Sequence, residues 1–590
     1  MTKRITATVL DTTGIQPYIF GSNRLRENIG ASYLAAQATG GWVTSVLENL
    51  VGNQVYIPVD DGPVETPVGK RIEMGEVRAE LVYSGGGNTV LLFDELALAQ
   101  QFVGVLTERA LRRATGLTLV AAHRAFEWDD QPLLPKVVSE LMDAEIDRLK
   151  RERVPSAPLL GLGVTAACGS TGLPAVDMSG TYYKDVSDES YPVSGEVVAK
   201  LTVFNDANDA LADALDAVRG RLPYDLDNLG RSEGTSSYVA VVHADGNGIG
   251  KHFINAGKDF YNSNRDYIAA IRRLSGDVRK VGSKALRDLY TDLRACIEEV
   301  GPTEAYFTVA RGDRRIRQFR LGQQRDRKDR QKRAGPWYMP FRPLVYGGDD
   351  VTFVCDGRIG LGLVARYMTL FERQRLADGA SFTACAGVAI VKTHYPFARA
   401  YALSESLCAS AKTRVRQEAP DKPFSALDWH IASAGPTSGI EEIREREYSV
   451  PAGDLHLRPV RLAKSEDDWR TWPAFREVVR SFVEDDVWCG KRNKVITLRE
   501  ALRQGGGETE QFLHAYELLP TGSAQGQNAG AGQPRLAAGM GLPRFSGGAK
   551  SGAGDTLRRK GWFGEICGYF DPIEAMEFLV DPWTTMENPR

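Results

Sequence analysis

The stretch Pro343-Leu-Val-Tyr346-Gly347-Gly348-Asp349-Asp350-Val351-Thr-Phe-Val-Cys355 decides how this chain is read. Two short runs rich in β-branched and aromatic residues flank two glycines and two aspartates, the pattern of strands joined by a tight hairpin. Glycine lets the backbone turn sharply and leaves room for another group to come close. A rigid tip carrying two carboxylates suits Mg²⁺, a hard ion that takes a few carboxylates plus phosphate oxygens. A plain glycine hairpin that happens to be followed by acids has the same four letters, so the surroundings must decide.

Upstream, Tyr238-Val-Ala-Val-Val-His-Ala244 reads as a strand ending in Asp245, with Gly246-Asn247-Gly248-Ile249-Gly250-Lys251 directly after it. A long helical pattern follows, with Val278, Val281, Leu289, Leu293 and Ile297 on one face. Beyond the hairpin the pattern predicts a helix near 360–377, a strand over 381–391 and a helix from 397 to about 416. Strand, helix, hairpin, helix, strand is the order of a ferredoxin-like βαββαβ sheet. That order sets Asp245 beside the Asp349 turn, where the carboxylates can hold two metal ions as a clamp for in-line nucleotidyl transfer. Small residues after Asp245 would offer backbone N–H groups to triphosphate oxygens as the next helix begins. An ordinary strand-to-helix turn looks alike.

The first 200 residues repeat that order. The pattern predicts a strand over 5–10, a long helix over 34–50, and strands over 80–83 and 89–93 joined by Ser84-Gly85-Gly86-Gly87. Helices near 95–115 and 136–150 and an apolar strand over 161–168 complete this part. The expectation is an α+β chain with tandem ferredoxin-like domains over 1–200 and 201–440. A mostly helical domain follows over 441–590, with helices over 497–504 and 572–579. Residues 521–555, rich in Gly, Ala, Ser and Gln, cannot bury much apolar surface and read as a mobile loop.

Composition agrees with several domains, since 590 residues exceed what one core supports. The apolar fraction of 43% and charged fraction of 25% are those of an ordinary soluble protein. A formal net charge of -3 means that any phosphate-binding surface must be a local patch. The seven cysteines are scattered, with no Cys-x-x-Cys pair, which suits reduced thiols and neither a disulfide frame nor a zinc ribbon. No apolar signal core opens the chain and no run is long enough to span a bilayer, so a cytoplasmic protein without membrane contact is expected.

The second-half motifs resemble the palm domain shared by GGDEF-type nucleotide cyclases and the large subunit of type III CRISPR effector complexes. The Gly347-Gly348-Asp349-Asp350 form is similar to the CRISPR branch. So is Ala384-Cys-Ala-Gly387-Val-Ala-Ile-Val-Lys-Thr-His394-Tyr-Pro396-Phe397, leading into the helix that ends Ala411-Lys412. Asp11-Thr-Thr-Gly14-Ile15-Gln16-Pro-Tyr18-Ile19-Phe20 resembles the first palm of that subunit, and the likeness covers roughly residues 1–440.

The resemblance implies a catalyst that joins ATP, or another nucleoside triphosphate, into cyclic oligonucleotide or cyclic dinucleotide messengers for antiviral defence, with Mg²⁺ or Mn²⁺ as two ions. By position, Asp245 and Asp349 would be metal ligands and Asp350 a ligand or support. Gly246, Asn247, Gly248, Gly347 and Gly348 would border the nucleotide, and Lys412 would meet its phosphates. Lys412 equally fits the solvated end of an amphipathic helix whose Ala400, Leu403, Leu407 and Ala411 pack inward. The first palm, with Ser84-Gly85-Gly86-Gly87 in place of the acidic turn, is expected to be degenerate. No His-Asp doublet occurs, so the nuclease domain of many relatives is not expected, nor is their zinc.

Residues 311–333 are strongly basic and precede Pro336-Trp337-Tyr338. They suit a grip on RNA or on other effector subunits, or a solvated loop diluted by Asp313, Asp326 and Asp329. Lys491-Arg492-Asn493-Lys494 reads either way too. The main alternative to an enzyme is an RNA-binding scaffold subunit of a type III CRISPR-like complex, and a diguanylate cyclase is a further one. Three carboxylates packed together without metal would be costly, which favours the enzyme. Base choice, linkage, ring size and oligomeric state stay open.

Overall fold

Strands buried on both faces read as continuous apolar runs, and the chain has one such run near the start of each half. In Arg4–Thr13, Ile5, Ala7 and Val9 have no exposed surface. In Tyr238–Gly246, residues 239–244 are all buried. Each run therefore occupies the middle of a sheet. The computed structural model describes residues 3–58, 71–152, 163–183, 190–229, 237–260, 262–311, 314–325, 334–375, 382–432, 439–519, 540–548, 550 and 552–583.

The first sheet runs Val55–Tyr56, Ala79–Gly85, Asn88–Phe93, Arg4–Thr13, Thr118–Glu127. The second runs Phe341–Val345, Val351–Asp356, Tyr238–Gly246, Ala384–Lys392, Ala426–Ile431, Val460–Arg461. In both, the hairpin lies on one side of the first strand and the fourth strand on the other, all antiparallel, which is the ferredoxin-like order. Fold class and the repeat are as the sequence predicts.

Because strand side chains alternate, the second sheet has two distinct faces. Ala240, Val242 and Ala244 pack on the helices Asn264–Ala295 and Gly360–Arg373. Val239 and Val241 face the opposite way, into a core shared with Phe397–Glu418 and with Ile29, Leu34 and Ala35 of Leu25–Thr39. Asp245 falls on this second face by the same alternation, so the first half of the chain supplies part of the wall around it.

Several expectations need correction. The helix predicted over 34–50 is two helices, Leu25–Thr39 and Gly41–Val51, because Gly40 leaves helical geometry (φ -123, ψ -94). No strand occupies the described residues of 161–168; Val164 is 93% exposed and Ala167 makes only a single bridge, to Pro174. An apolar run with no neighbour to pair with cannot become a strand. The described part of the basic segment lies mainly in strands: Arg314–Arg320, in a three-stranded sheet with Glu304–Arg311 and Ile297–Gly301, and Gln323–Arg325, paired with Ala334–Trp337. The C-terminal part is mostly helical but contains a four-stranded sheet of two-residue strands. Of the loop predicted over 521–555, residues 521–539 lie outside the described residues, and its end enters a helix, Ala553–Lys560. Among the described residues no helix is long and apolar enough to cross a membrane.

Candidate functional site

The second hairpin is set by its register. Val351 lies opposite Ala244 and Thr352 opposite His243, so Asp350 continues the antiparallel ladder opposite Asp245. Gly347 takes φ +96, a left-handed conformation that the turn requires and that side chains resist. Behind the turn stands the long helix Asn264–Ala295, and at Gly282 a Cβ would lie 2.0 Å from the Gly348 carbonyl oxygen. The hairpin is thus seated directly on helix backbone.

His243, Asp245 and Asp350 converge, with potential ligand atoms all within 4.8 Å of one another. Lys412, from Phe397–Glu418, places its ammonium on Asp245 Oδ2; the side chains are 18% and 29% exposed. Asp349 points to the other side of the turn, where it lines both the main cleft and a second pocket and borders Gly246. Asn247 spends its side-chain amide on Thr383 Oγ1 (3.0 Å) and the Phe424 carbonyl (3.2 Å). Gly248, at φ +72, starts the turn into Ile249–Asp259.

Crowding shows in the acidities. Burial first, then the Asp245 charge, raises the Asp349 carboxyl. Asp350 is raised well above the usual range by its position in the cleft, by Asp245 and Asp349, and by a hydrogen bond to Asp245. Burial would lower Lys412, but the Asp245 carboxylate outweighs it and raises the ammonium. One ammonium, that of Lys412, stands against three carboxylates, so the cluster carries surplus negative charge. The donor set, oxygen-rich and with more carboxylates than its one ammonium balances, fits a divalent ion.

The cleft has a volume of about 1600 Å³ and both halves of the chain line it. One wall carries His243, Asp245 and the Gly347–Asp350 turn; the other carries Tyr83 and the Ser84–Gly87 turn. The floor is the long helix, with Arg272, Arg273, Arg279 and Lys280 reaching the cleft. Arg265, Arg272 and Arg279 recur every seven residues, hence on one helix face. Arg265 and Arg272 both bind the buried Glu80 carboxylate, and Arg279 donates to the Ser84 carbonyl at 2.9 Å. Burial alone would raise Glu80; the Arg265 hydrogen bond and the Arg272 charge hold it below the ordinary value. Arg273 and Lys280, also seven apart, are exposed and make no ion pair among the described residues.

The sequence reading singled out neither His243 as part of the cluster nor the long-helix arginines. The seven-residue arginine spacing was a readable signal; Gly282 offered none without the fold. The basic strand is neutralised in part, with Arg317 on Glu298 (2.6 Å) and Arg320 near Glu304 (3.9 Å), while Arg311 of the adjoining strand meets Glu484 (2.9 Å). Side chains of 326–333 lie outside the described residues.

The chain has counterparts among solved structures. It is similar to Csm1. A crystal structure of a Csm1–Csm4 cassette in complex with cA4 superposes with a TM-score of 0.44 at 12% identity, over 88% of this chain and 65% of that one. The same cassette in complex with AMPPNP gives 0.43 at 14% identity, over 87% and 64%. Csm1 in T.onnurineus gives 0.39 at 12%, over 87% and 64%. The chain thus spans less than two thirds of the length of these structures. No family model matches the chain, and no curated protein sequence does.

Proposed function

We propose that the protein is a metal-dependent nucleotidyltransferase that joins nucleoside triphosphates, ATP foremost, into cyclic oligonucleotides. The observation that carries this reading is the convergence of Asp245, Asp350 and Lys412 above a glycine hairpin, inside a cleft roomy enough for two nucleotides. A single drug-sized ligand needs a few hundred Å³, against about 1600 Å³ here.

Asp245 and Asp350 would hold divalent ions, with Asp349 as a further oxygen donor from the far side of the turn. Two such ions lower the acidity barrier of an attacking ribose hydroxyl and neutralise a pyrophosphate leaving group. The protein's own part is placement. Gly347 and Gly348 leave a flat approach for a nucleotide, while Gly246, Asn247 and Gly248 keep the loop behind Asp349 fixed. Arg273 and Lys280, exposed and without an ion pair among the described residues, would take triphosphate charge. Lys412 holds the Asp245 carboxylate in place through its ammonium. The ribose oxygen of one nucleotide bonds to the α-phosphorus of the next, the Pα–O bond to pyrophosphate breaks, and the hydroxyl proton leaves to solvent.

The first sheet, with glycines in its turn, would support one nucleotide and not catalyse. A role in antiviral defence, and any guide RNA or partner subunit, follows from the motif resemblance alone. The test is incubation of the full chain with all four nucleoside triphosphates and Mg²⁺ or Mn²⁺, with products identified by mass spectrometry. A cyclic product that Asp245→Asn and Asp350→Asn abolish supports the reading. No product, together with no Mg²⁺-dependent ATP binding by calorimetry, overturns it.

A further inference from the structure

His243 is 9% exposed and lines the cleft beside Asp245. It sits two residues before Asp245 on the same strand and therefore on the same face. A ring nitrogen, Nδ1, lies 3.2 Å from Thr352 Oγ1, the residue directly opposite in the ladder. That leaves Nε2 without a hydrogen-bond partner among the described residues. The ring edge-packs on Tyr401 at 5.8 Å between centroids, which restricts its rotation. A nine-tenths buried imidazole is thus fixed in orientation within 4.8 Å of two carboxylates.

The other sheet shows that the fold does not need a histidine here. Its ladder pairs Asp11 with Asn88 and Val9 with Val90, the positions that Asp245, Asp350, His243 and Thr352 occupy in the second sheet. Val9 and Val90 are both fully buried. Where the acidic pair is missing, the polar pair beside it is missing as well. A ligating imidazole is typically held through its second nitrogen by a hydrogen-bonding neighbour, and Thr352 is placed for that.

We propose that His243, oriented by Thr352, supplies a nitrogen ligand to the metal ion held by Asp245 and Asp350. This inference rests on the metal-dependent reading above and adds a selectivity to it. Mg²⁺ prefers oxygen ligands, whereas first-row transition ions accept imidazole readily. The site is therefore biased toward Mn²⁺ over Mg²⁺, unlike a site built from carboxylates alone.

The experiment is pulsed electron paramagnetic resonance of Mn²⁺ bound to the full chain, together with Mn²⁺ and Mg²⁺ titrations. The expected result is nitrogen modulation of imidazole type that disappears in His243→Val/Thr352→Val, with Mn²⁺ affinity falling about tenfold or more and Mg²⁺ affinity little changed. That double variant installs the Val9–Val90 pair, which the first sheet already accommodates; His243→Gln serves if it fails to fold. Mn²⁺ that binds through Asp245 and Asp350 without nitrogen modulation, or with modulation that survives both variants, overturns the inference and leaves the metal reading standing. No Mn²⁺ binding at all overturns both.

Discussion

The two hairpins share a backbone plan and differ in what their ladders carry. Register aligns Gly85-Gly86-Gly87-Asn88 with Gly347-Gly348-Asp349-Asp350, so Asn88 stands where Asp350 does. Asp11 and Asp245 correspond, and each is met by a lysine: Lys150 on Asp11 at 2.7 Å, Lys412 on Asp245. An isolated aspartate paired with one lysine is electrically complete. A second carboxylate added beside it leaves surplus negative charge that a metal ion can satisfy. The difference between a support and a candidate catalytic centre is thus about two carboxylates and a histidine, on one sheet plan used twice.

The sharpest way to break this comparison is to remove matching acids. Asp245→Asn or Asp350→Asn should cut product formation about a thousandfold, roughly 4 kcal/mol of barrier, while Asp11→Asn should stay within about twofold. Product quantification by mass spectrometry decides it; equal losses in both sheets would mean that the first is catalytic too.

Next in size is the tie between the sheets. Glu80 is buried with Arg265 and Arg272 as partners. Glu80→Gln leaves buried guanidinium charge uncompensated and should cost about 3 kcal/mol, read as a lower denaturant midpoint.

A smaller effect tests the seating of the second hairpin. Gly282→Ala puts a Cβ against the Gly348 oxygen and should cost about 2 kcal/mol with a loss of activity, whereas Gly276→Ala, which meets open space in the same helix, should be neutral or stabilising.

Acid should act on the two regions in order. Burial and the neighbouring Arg458 hold His430 down at about 3; burial and Arg444 hold His456 at about 4. Their stabilising contribution is full above the ordinary value of 6.5 and is lost as pH falls from there toward those values. At pH 5.5 each should cost about 1 to 2 kcal/mol, whereas the Glu80 network near the first hairpin fails only once pH drops below the ordinary glutamate value. Melting temperatures from pH 7.5 to 4.5 check this, and His430→Gln/His456→Gln should flatten the curve.

What could be read beforehand follows from what period-two patterns encode. Both hairpins and both central strands were legible because buried strands concentrate β-branched residues between glycine turns. The Asp245–Asp350 approach followed from topology. Register was not legible: counting letters aligns Ser84 with Gly347 and hides Asn88 as the counterpart of Asp350. His243 carries no motif of its own, and only its ladder partner Thr352 shows how the ring is held. Arg314–Arg320 escaped because only Phe319 in it is buried, so no apolar alternation marks the strand.

The helix Asn264–Ala295 has 32 residues, about 48 Å at 1.5 Å per residue. Arg279 grips one turn at Ser84 and Gly282, three residues on, seats the other at Gly348. The same piece of helix therefore carries both turns, with their points of attachment offset along its axis by less than one helical pitch. One residue inserted between these two marks would rotate everything beyond it by about 100°, so the spacing of the two turns is written into a count of residues and not into the strength of any contact.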